Sequence, residues 1–292
     1  MKIKGIILAG GTGSRLFPIT NVISKQLLPI YDKPMIYYPL SILMLAGIKE
    51  IAIIVKPNNL EAYKAFLGDG SQLGISINYF VQEKPNGLPE AFNITANFIK
   101  NHKVCMILGD NIFYGSDFIN KYLRPTIKKN GSSIFLYSVH DPSRFGIVEF
   151  DKNNKIKNII EKPKRTNSNF AITGLYFFDE KVSSFSRNLK PSKRGETEII
   201  DLLNIYKKRR SLNFKVINRG IAWIDTGTPE SLIRASQYIE IIEKRQNTKI
   251  ACLEQIALEM GYININEYKN LIKKYPVSAY KDYLISVLKE YR

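Results

Sequence analysis

The run Leu8-Ala9-Gly10-Gly11-Thr12-Gly13-Ser14-Arg15-Leu16 carries the residue types of an anion site. Three glycines in four positions let the backbone turn tightly and let a ligand approach it closely. The amides of such a turn form a concavity for anions, and Arg15 adds a planar, permanently charged fork for phosphate oxygens. A basic, proline-punctuated segment, Ser24-Lys25-Gln26-Leu27-Leu28-Pro29, follows. The chemistry predicted is the binding of a polyphosphate. Glycine turns alone also join ordinary strands to helices; Arg15 and Lys25 set this one apart. Its spacing excludes two common phosphate motifs. A dinucleotide Gly-x-Gly-x-x-Gly starting at Gly11 needs glycine where Leu16 stands, and no Gly-x-x-x-x-Gly-Lys-Ser/Thr string starts at Gly10 or Gly11.

Two carboxylates follow apolar runs. Asp110 comes directly after residues 104–108, in Gly109-Asp110-Asn111; Asp225 precedes a glycine turn in Trp223-Ile224-Asp225-Thr226-Gly227-Thr228. Either alone reads equally as a turn or cap residue. Paired with a phosphate loop, they predict a magnesium site, since that ion takes one or two carboxylates plus substrate phosphates. In Glu161-Lys162-Pro163 the glutamate can accept bonds from sugar hydroxyls while the lysine meets a phosphate, although a solvated charge pair has the same sequence. Gln82 has an amide able to donate and accept at a base edge, and Gly87 permits a base to approach the backbone. The alternative for 82–87 is an ordinary loop.

These residues need elements to hold them. Strands are predicted at Ile3–Leu8 and at residues 51–55, 75–81, 104–108 and 132–139. Helices are predicted over 34–46, closed by Gly47, and over 90–100. This alternation predicts an α/β fold with a mainly parallel sheet, in which ligands sit beyond the carboxyl ends of the strands. A β-rich part over about 140–180 holds a hairpin of Gly146–Phe150 and Ile156–Glu161, then the strand Phe170–Phe178. A further helical stretch begins near Thr197. From Pro229 the chain reads as mostly helical: 229–243, 253–260 and two more helices to Arg292. The expected division is therefore a catalytic part over 1–228 and a helical region over 229–292, which covers the core or forms a subunit contact.

Composition narrows the class. A chain of 292 residues with 45% hydrophobic and 24% charged residues suits a globular protein of one large or two small domains. No apolar run reaches the ~20 residues of a membrane span, and the first run is too short for a signal peptide. Cys105 and Cys252 suggest no disulfide framework, so a cytoplasmic setting is expected. His102 and His140 lack zinc-ligand spacing. The formal charge of +17 favours anionic partners. The tightest basic run, Lys207-Lys208-Arg209-Arg210, reads as a solvated helix end rather than a nucleic-acid patch, and neither nucleic-acid nor membrane binding is expected.

The strings at 5–16, 24–40, 108–111, 161–163, 173–176 and 222–228 together resemble the glucose-1-phosphate thymidylyltransferase family of sugar nucleotidyltransferases. The match runs from residue 1 to about 260. Segment 24–40 is its most specific part. The resemblance implies a Rossmann-like nucleotidyltransferase fold with a β-rich sugar-binding insertion. The reaction it implies is magnesium-dependent: dTTP and glucose 1-phosphate give dTDP-glucose and pyrophosphate, the first step toward dTDP-deoxysugars such as dTDP-rhamnose. Leu8, Gly10, Gly11, Thr12, Gly13, Arg15, Lys25 and Gln26 would hold the nucleotide, with Gln82, Pro85 and Gly87 at the thymine. Asn111, Gly146, Glu161, Lys162, Thr173 and Gly174 would line the sugar-phosphate site. Asp110 and Asp225 would hold magnesium. Arg15, Lys25, Lys162 and the two aspartates would carry catalysis, with no general base and no covalent nucleophile. The resemblance also implies a homotetramer with a regulatory site at Gly115, Arg219, Gln255 and Ile256. Phe145, Asn86 and Gln255 stand where this family usually has Tyr, Asp and Glu. Rival readings are the same reaction with UTP, CTP or another hexose 1-phosphate, an NAD-dependent oxidoreductase, and a non-catalytic nucleotide-binding module.

Overall fold

The computed structural model describes residues 2–192 and 194–290; the expected helix end at Arg292 lies outside them. The chain opens with strand β1 (Ile3–Leu8), a two-residue hairpin of β2 (Pro29–Ile30) and β3 (Lys33–Pro34), and helix α1 (Tyr37–Leu45). Then come β4 (Glu50–Val55), α2 (Leu60–Leu67), β5 (Ser76–Val81), α3 (Glu90–Ile94), α4 (Ala96–Ile99), β6 (Lys103–Leu108) and β7 (Asn111–Tyr114). A π-helical turn over Phe118–Leu123 leads to α5 (Arg124–Ile127) and to β8 (Ser132–Ser138), β9 (Gly146–Phe150), β10 (Ile156–Glu161) and β11 (Phe170–Phe178). The rest is α6 (Val182–Arg187), α7 (Ile199–Lys208), β12 (Leu212–Val216), β13 (Ala222–Asp225), α8 (Pro229–Gln246), α9 (Leu253–Glu259), α10 (Ile265–Lys273) and α11 (Ala279–Glu290).

The heart of the large sheet is parallel, in the order β6-β1-β4-β5. Leu8 stands level with both Ile54 and Leu108, and Val55 with Val81. The segments leaving β1, β6 and β5 therefore emerge at one edge, where ligands of such sheets bind. β11 joins β6 antiparallel and extends the sheet toward β9 and β10 on one path and β8 and β12 on another. The β-rich stretch is thus continuous with the central sheet.

Near-continuous apolar strands have both faces covered. Ile7, Ile53 and Ile107 pack in a core with α1 and α2, whereas Ile6, Ile54 and Met106 point to the other face, against α3, α6 and α7. The C-terminal helices close the first face: Leu253, Ile256, Leu271, Leu284 and Val287 share one core with Leu43 and Tyr63. They cover the core. Strands β7, β12 and β13 were not expected, and two expected helices differ from the sequence reading. The helix over 34–46 starts only at Tyr37, because the β2–β3 hairpin takes its first residues. The helix over 90–100 breaks at Thr95, whose hydroxyl donates to the Ala91 carbonyl at 2.6 Å and whose φ of −95° and ψ of 12° leave the helix.

Candidate active site

The glycine loop leaves β1 and ends in a short 3-10 turn at Ser14–Leu16. Gly13 has φ +63° and a Cβ there would lie 2.8 Å from Thr20, whose hydroxyl donates to the Gly13 carbonyl. Only glycine meets both conditions without strain. Residues 11–15, Lys25, Gln26, Asp110 and Gly227 line a cleft of about 220 Å³. Leu8 is buried at the end of β1 and does not line this cleft, and Gln26 is held by Ser24 and Tyr63. The Arg15 guanidinium lies over Gly227, about 3.0 Å from where a Cβ would be. The loop and the distant Asp225-Thr226-Gly227 turn therefore form one site.

The strand pair β7–β13 brings the two aspartates together. It is antiparallel, with Asp225 opposite Asn111, and both the amide and the hydroxyl of Thr226 donate to the Asp110 carbonyl, at 3.1 and 2.8 Å. Lys25 Nζ is 2.5 Å from Asp110 Oδ2, and Asn111 Nδ2 donates to Asp110 Oδ1 at 2.9 Å. Asn111 is itself pinned, because its Oδ1 accepts from the Gly174 amide at 3.1 Å and from Trp223 Nε1 at 2.6 Å. A Cβ at Gly174 would approach that amide to 2.7 Å, so Gly174 makes room for a brace on Asp110. Asp225 accepts from Arg144 Nη2 at 3.2 Å. Burial raises the Asp225 carboxyl above its ordinary range and the Asp110 charge raises it further, while Lys25, Arg15 and Arg144 oppose them.

A larger cleft of about 540 Å³ adjoins the first, and the two share Arg15 and Asp110. Gly146, Glu161, Lys162, Asn111 and Gly174 meet in its wall, with Trp223 and Tyr176. Phe145 packs on Trp223 with ring centroids 5.2 Å apart. Thr173 is not part of this wall. Its neighbours Ile172 and Gly174 line the cleft, whereas Thr173 is fully buried with its hydroxyl unpartnered. Sequence reasoning missed Arg194, which stands 3.7 Å from Glu161 and 3.6 Å from both Glu196 and Glu198. Its only sequence signal is a pair of cations followed across Gly195 by Glu196 and Glu198, just ahead of the amphipathic helix α7. Burial raises the Glu161 carboxyl, Glu198 adds to this, and Lys162 and Arg194 hold it back.

Gln82 follows β5, is buried and lies beside Gly10. Pro85 is exposed in the next loop. Gly87, at φ +109°, leaves no space for a Cβ against the Thr197 carbonyl, which ties this loop to the large cleft's rim. A separate cleft of about 300 Å³ shares no residue with these two and gathers Gly115, Gln255 and Ile256. The Gln255 amide is engaged by Glu259 at 2.7 Å and Tyr283 at 2.5 Å. Arg219 is exposed outside that lining, next to Gly220, which packs on Gly115. Among the described residues there is no cluster of three or more metal-ligating side chains and no helix long and apolar enough to cross a membrane.

Comparison with known proteins places this geometry. A family model described as nucleotidyl transferase matches residues 4–241. The glucose-1-phosphate thymidylyltransferase of Neisseria meningitidis is 49% identical, covering 99% of this chain and 100% of its own. That of Mycolicibacterium smegmatis is 46% identical, covering 98% and 99%. A solved UDP-glucose pyrophosphorylase complexed with UDP-glucose is similar in fold, with a TM-score of 0.72, 27% identity and coverage of 83% of this chain and 100% of that one.

Proposed function

The chain belongs to the nucleotidyl transferase family, and on that premise we propose that it transfers the thymidylyl group of dTTP to glucose 1-phosphate, giving dTDP-glucose and pyrophosphate. The observation that carries this reading is the junction of two clefts at Arg15 and Asp110. One is lined by a glycine loop and cations suited to a triphosphate, the other by Glu161 and Lys162, suited to a sugar phosphate. The shared names of relatives 46–49% identical over nearly the whole chain supply the base and the sugar.

The chemistry follows from charge. A phosphate oxygen of glucose 1-phosphate attacks the α-phosphorus of dTTP; the new P–O bond forms as the bond to the β-phosphate oxygen breaks, and pyrophosphate leaves with that electron pair. The nucleophile is already an anion, so no general base and no covalent enzyme nucleophile is needed. The difficulty is bringing two anions together. Arg15, Lys25 and the loop amides hold the triphosphate, Lys162 meets the sugar phosphate, and Glu161 accepts from sugar hydroxyls. Gln82 and Gly87 face the thymine.

Asp110 and Asp225 fit a magnesium ion. The donors are two hard carboxylates, too few to hold a cation without substrate phosphates, and their mutual repulsion is what a cation relieves. Bound there, magnesium would neutralise phosphate charge and stabilise the transition state. A homotetramer with feedback at the Gly115–Gln255–Ile256 cleft belongs to the same proposal; the outward Ile233 and Ile241 of α8, 59% and 55% exposed, suit a subunit contact.

The likeness to a UDP-glucose pyrophosphorylase favours one second reading, the same transfer from UTP. Pyrophosphate release with glucose 1-phosphate and magnesium, compared across dTTP, UTP, dCTP and dATP, tests both. The highest kcat/KM is expected with dTTP, and a preference for UTP would establish the alternative.

A further inference from the structure

The amide of Gln82 is held in one orientation by a residue outside both clefts. Gln82 Nε2 donates to Glu90 Oε2 at 2.6 Å, and the other oxygen of Glu90 accepts from Asn86 Nδ2 at 2.9 Å. An ionised carboxylate only accepts, so Gln82 must give it the NH₂ end. The two ends of a glutamine amide are otherwise nearly equivalent, and the hydrogen-bond network decides between them. Here the network leaves the carbonyl Oε1 over Gly10, where a Cβ would stand only 2.6 Å away. Gln82 is 4% exposed, and its backbone amide is tied to the Val55 carbonyl at 2.9 Å. Backbone, side-chain end and neighbouring glycine together allow one presentation.

We propose that Glu90 is a positioning residue that fixes the Gln82 carbonyl toward the nucleotide base, so that the site selects a pyrimidine bearing hydrogen on N3. Thymine and uracil carry that N–H and can donate to an acceptor; cytosine has a bare N3 and would face the carbonyl with a second acceptor. The inference rests on the proposed contact of Gln82 with the base and adds the cause of its polarity. Glu90 touches no substrate and acts through Gln82.

The test is the ratio of kcat/KM for dTTP over dCTP, with glucose 1-phosphate saturating, in the wild type and four variants. Glu90→Met removes the acceptor and frees the amide to rotate; the ratio is expected to fall about tenfold or more, because one well-made base contact discriminates on that scale. Glu90→Gln keeps the size of the side chain but offers an NH₂ as well as an oxygen, so it no longer dictates which end Gln82 presents; the ratio is expected to fall, by a smaller factor than in Glu90→Met, whereas a role in packing alone would leave it unchanged. Asn86→Ala loosens one side of the carboxylate and is expected to lower the ratio in the same direction by a smaller factor, so the idea stays testable if Glu90→Met folds poorly. Gln82→Leu is expected to abolish the preference. If Gln82→Leu keeps it, the base contact itself is wrong and the role of Glu90 falls with it. If Gln82→Leu loses it while Glu90→Met lowers both nucleotides equally, the base contact stands and the positioning role is overturned.

Discussion

Lys25 and Asp110 form an ion pair of 2.5 Å at the junction of the two clefts, and Lys25 is only 7% exposed. Asp110 therefore has two tasks: it can hold a cation, and it compensates a buried ammonium. Asp110→Asn should lower kcat by about 10²-fold or more, the scale of losing one transition-state electrostatic contact. It should also cost stability, though less than the about 3–5 kcal/mol of a fully buried pair, since the Asp110 side chain is 22% exposed. Turnover assays beside denaturant titration check this. An unchanged midpoint would show that Lys25 finds another partner.

Arg144 occupies Asp225 at 3.2 Å, on the carboxylate proposed for the metal. It is more than a third exposed, so the pair is weakly held. Arg144→Gln should tighten Mn²⁺ binding to the protein carrying dTTP by up to about fivefold, from the ~0–1 kcal/mol of an exposed pair. Calorimetric titration measures it. Weaker binding would mean that Arg144 orients the carboxylate instead of competing for it.

Glu161 gives a pH signature with a defined sign. Its carboxyl is raised in the folded state by burial, against the pull of Lys162 and Arg194. A group raised on folding contributes stability below its unfolded pKa and loses it as pH rises through the folded value. Glu161→Gln should therefore raise Tm slightly at neutral pH, with the gain vanishing below the ordinary carboxylate range. The same variant should lower kcat/KM for glucose 1-phosphate by about 10- to 100-fold, as for loss of a charged hydrogen-bond partner. In Arg194→Gln the acid limb of glucose 1-phosphate KM should move to higher pH. An acid limb that stays in place would exclude Arg194 from tuning this carboxylate.

Gly11 separates binding from folding. No atom lies within 4 Å of a Cβ built there, and its φ is not in the left-handed region. Gly11→Ala should leave Tm unchanged within error while raising dTTP KM by about tenfold, if phosphates approach the loop as closely as proposed. Normal KM with normal Tm would put the triphosphate elsewhere.

The parallel heart of the fold was readable because β1, β4 and β6 are apolar on both faces and end at glycine or polar turns. The glycine loop was readable because its residue types have few other uses together. Strand β7 was not: Asn111–Tyr114 is short, begins at a residue read as part of a site loop, and pairs with β13 more than a hundred residues later. The same long-range pairing conceals Asn111's task of bracing Asp110, visible only once Gly174 and Trp223 converge on it. Thr173 looked like a sugar ligand beside Gly174, yet strand alternation turns it to the opposite face. Arg194 was missed because a polar loop has no periodicity to read.

Direct transfer at the junction of the clefts has one stereochemical consequence. A single diastereomer of dTTP bearing sulfur on the α-phosphorus should give dTDP-glucose inverted at that phosphorus, read by ³¹P NMR after reaction with glucose 1-phosphate. Inversion is the predicted result, from one displacement between two substrates held on either side of Arg15 and Asp110. Net retention would require two displacements and a covalent nucleotidyl-enzyme, and would contradict the account.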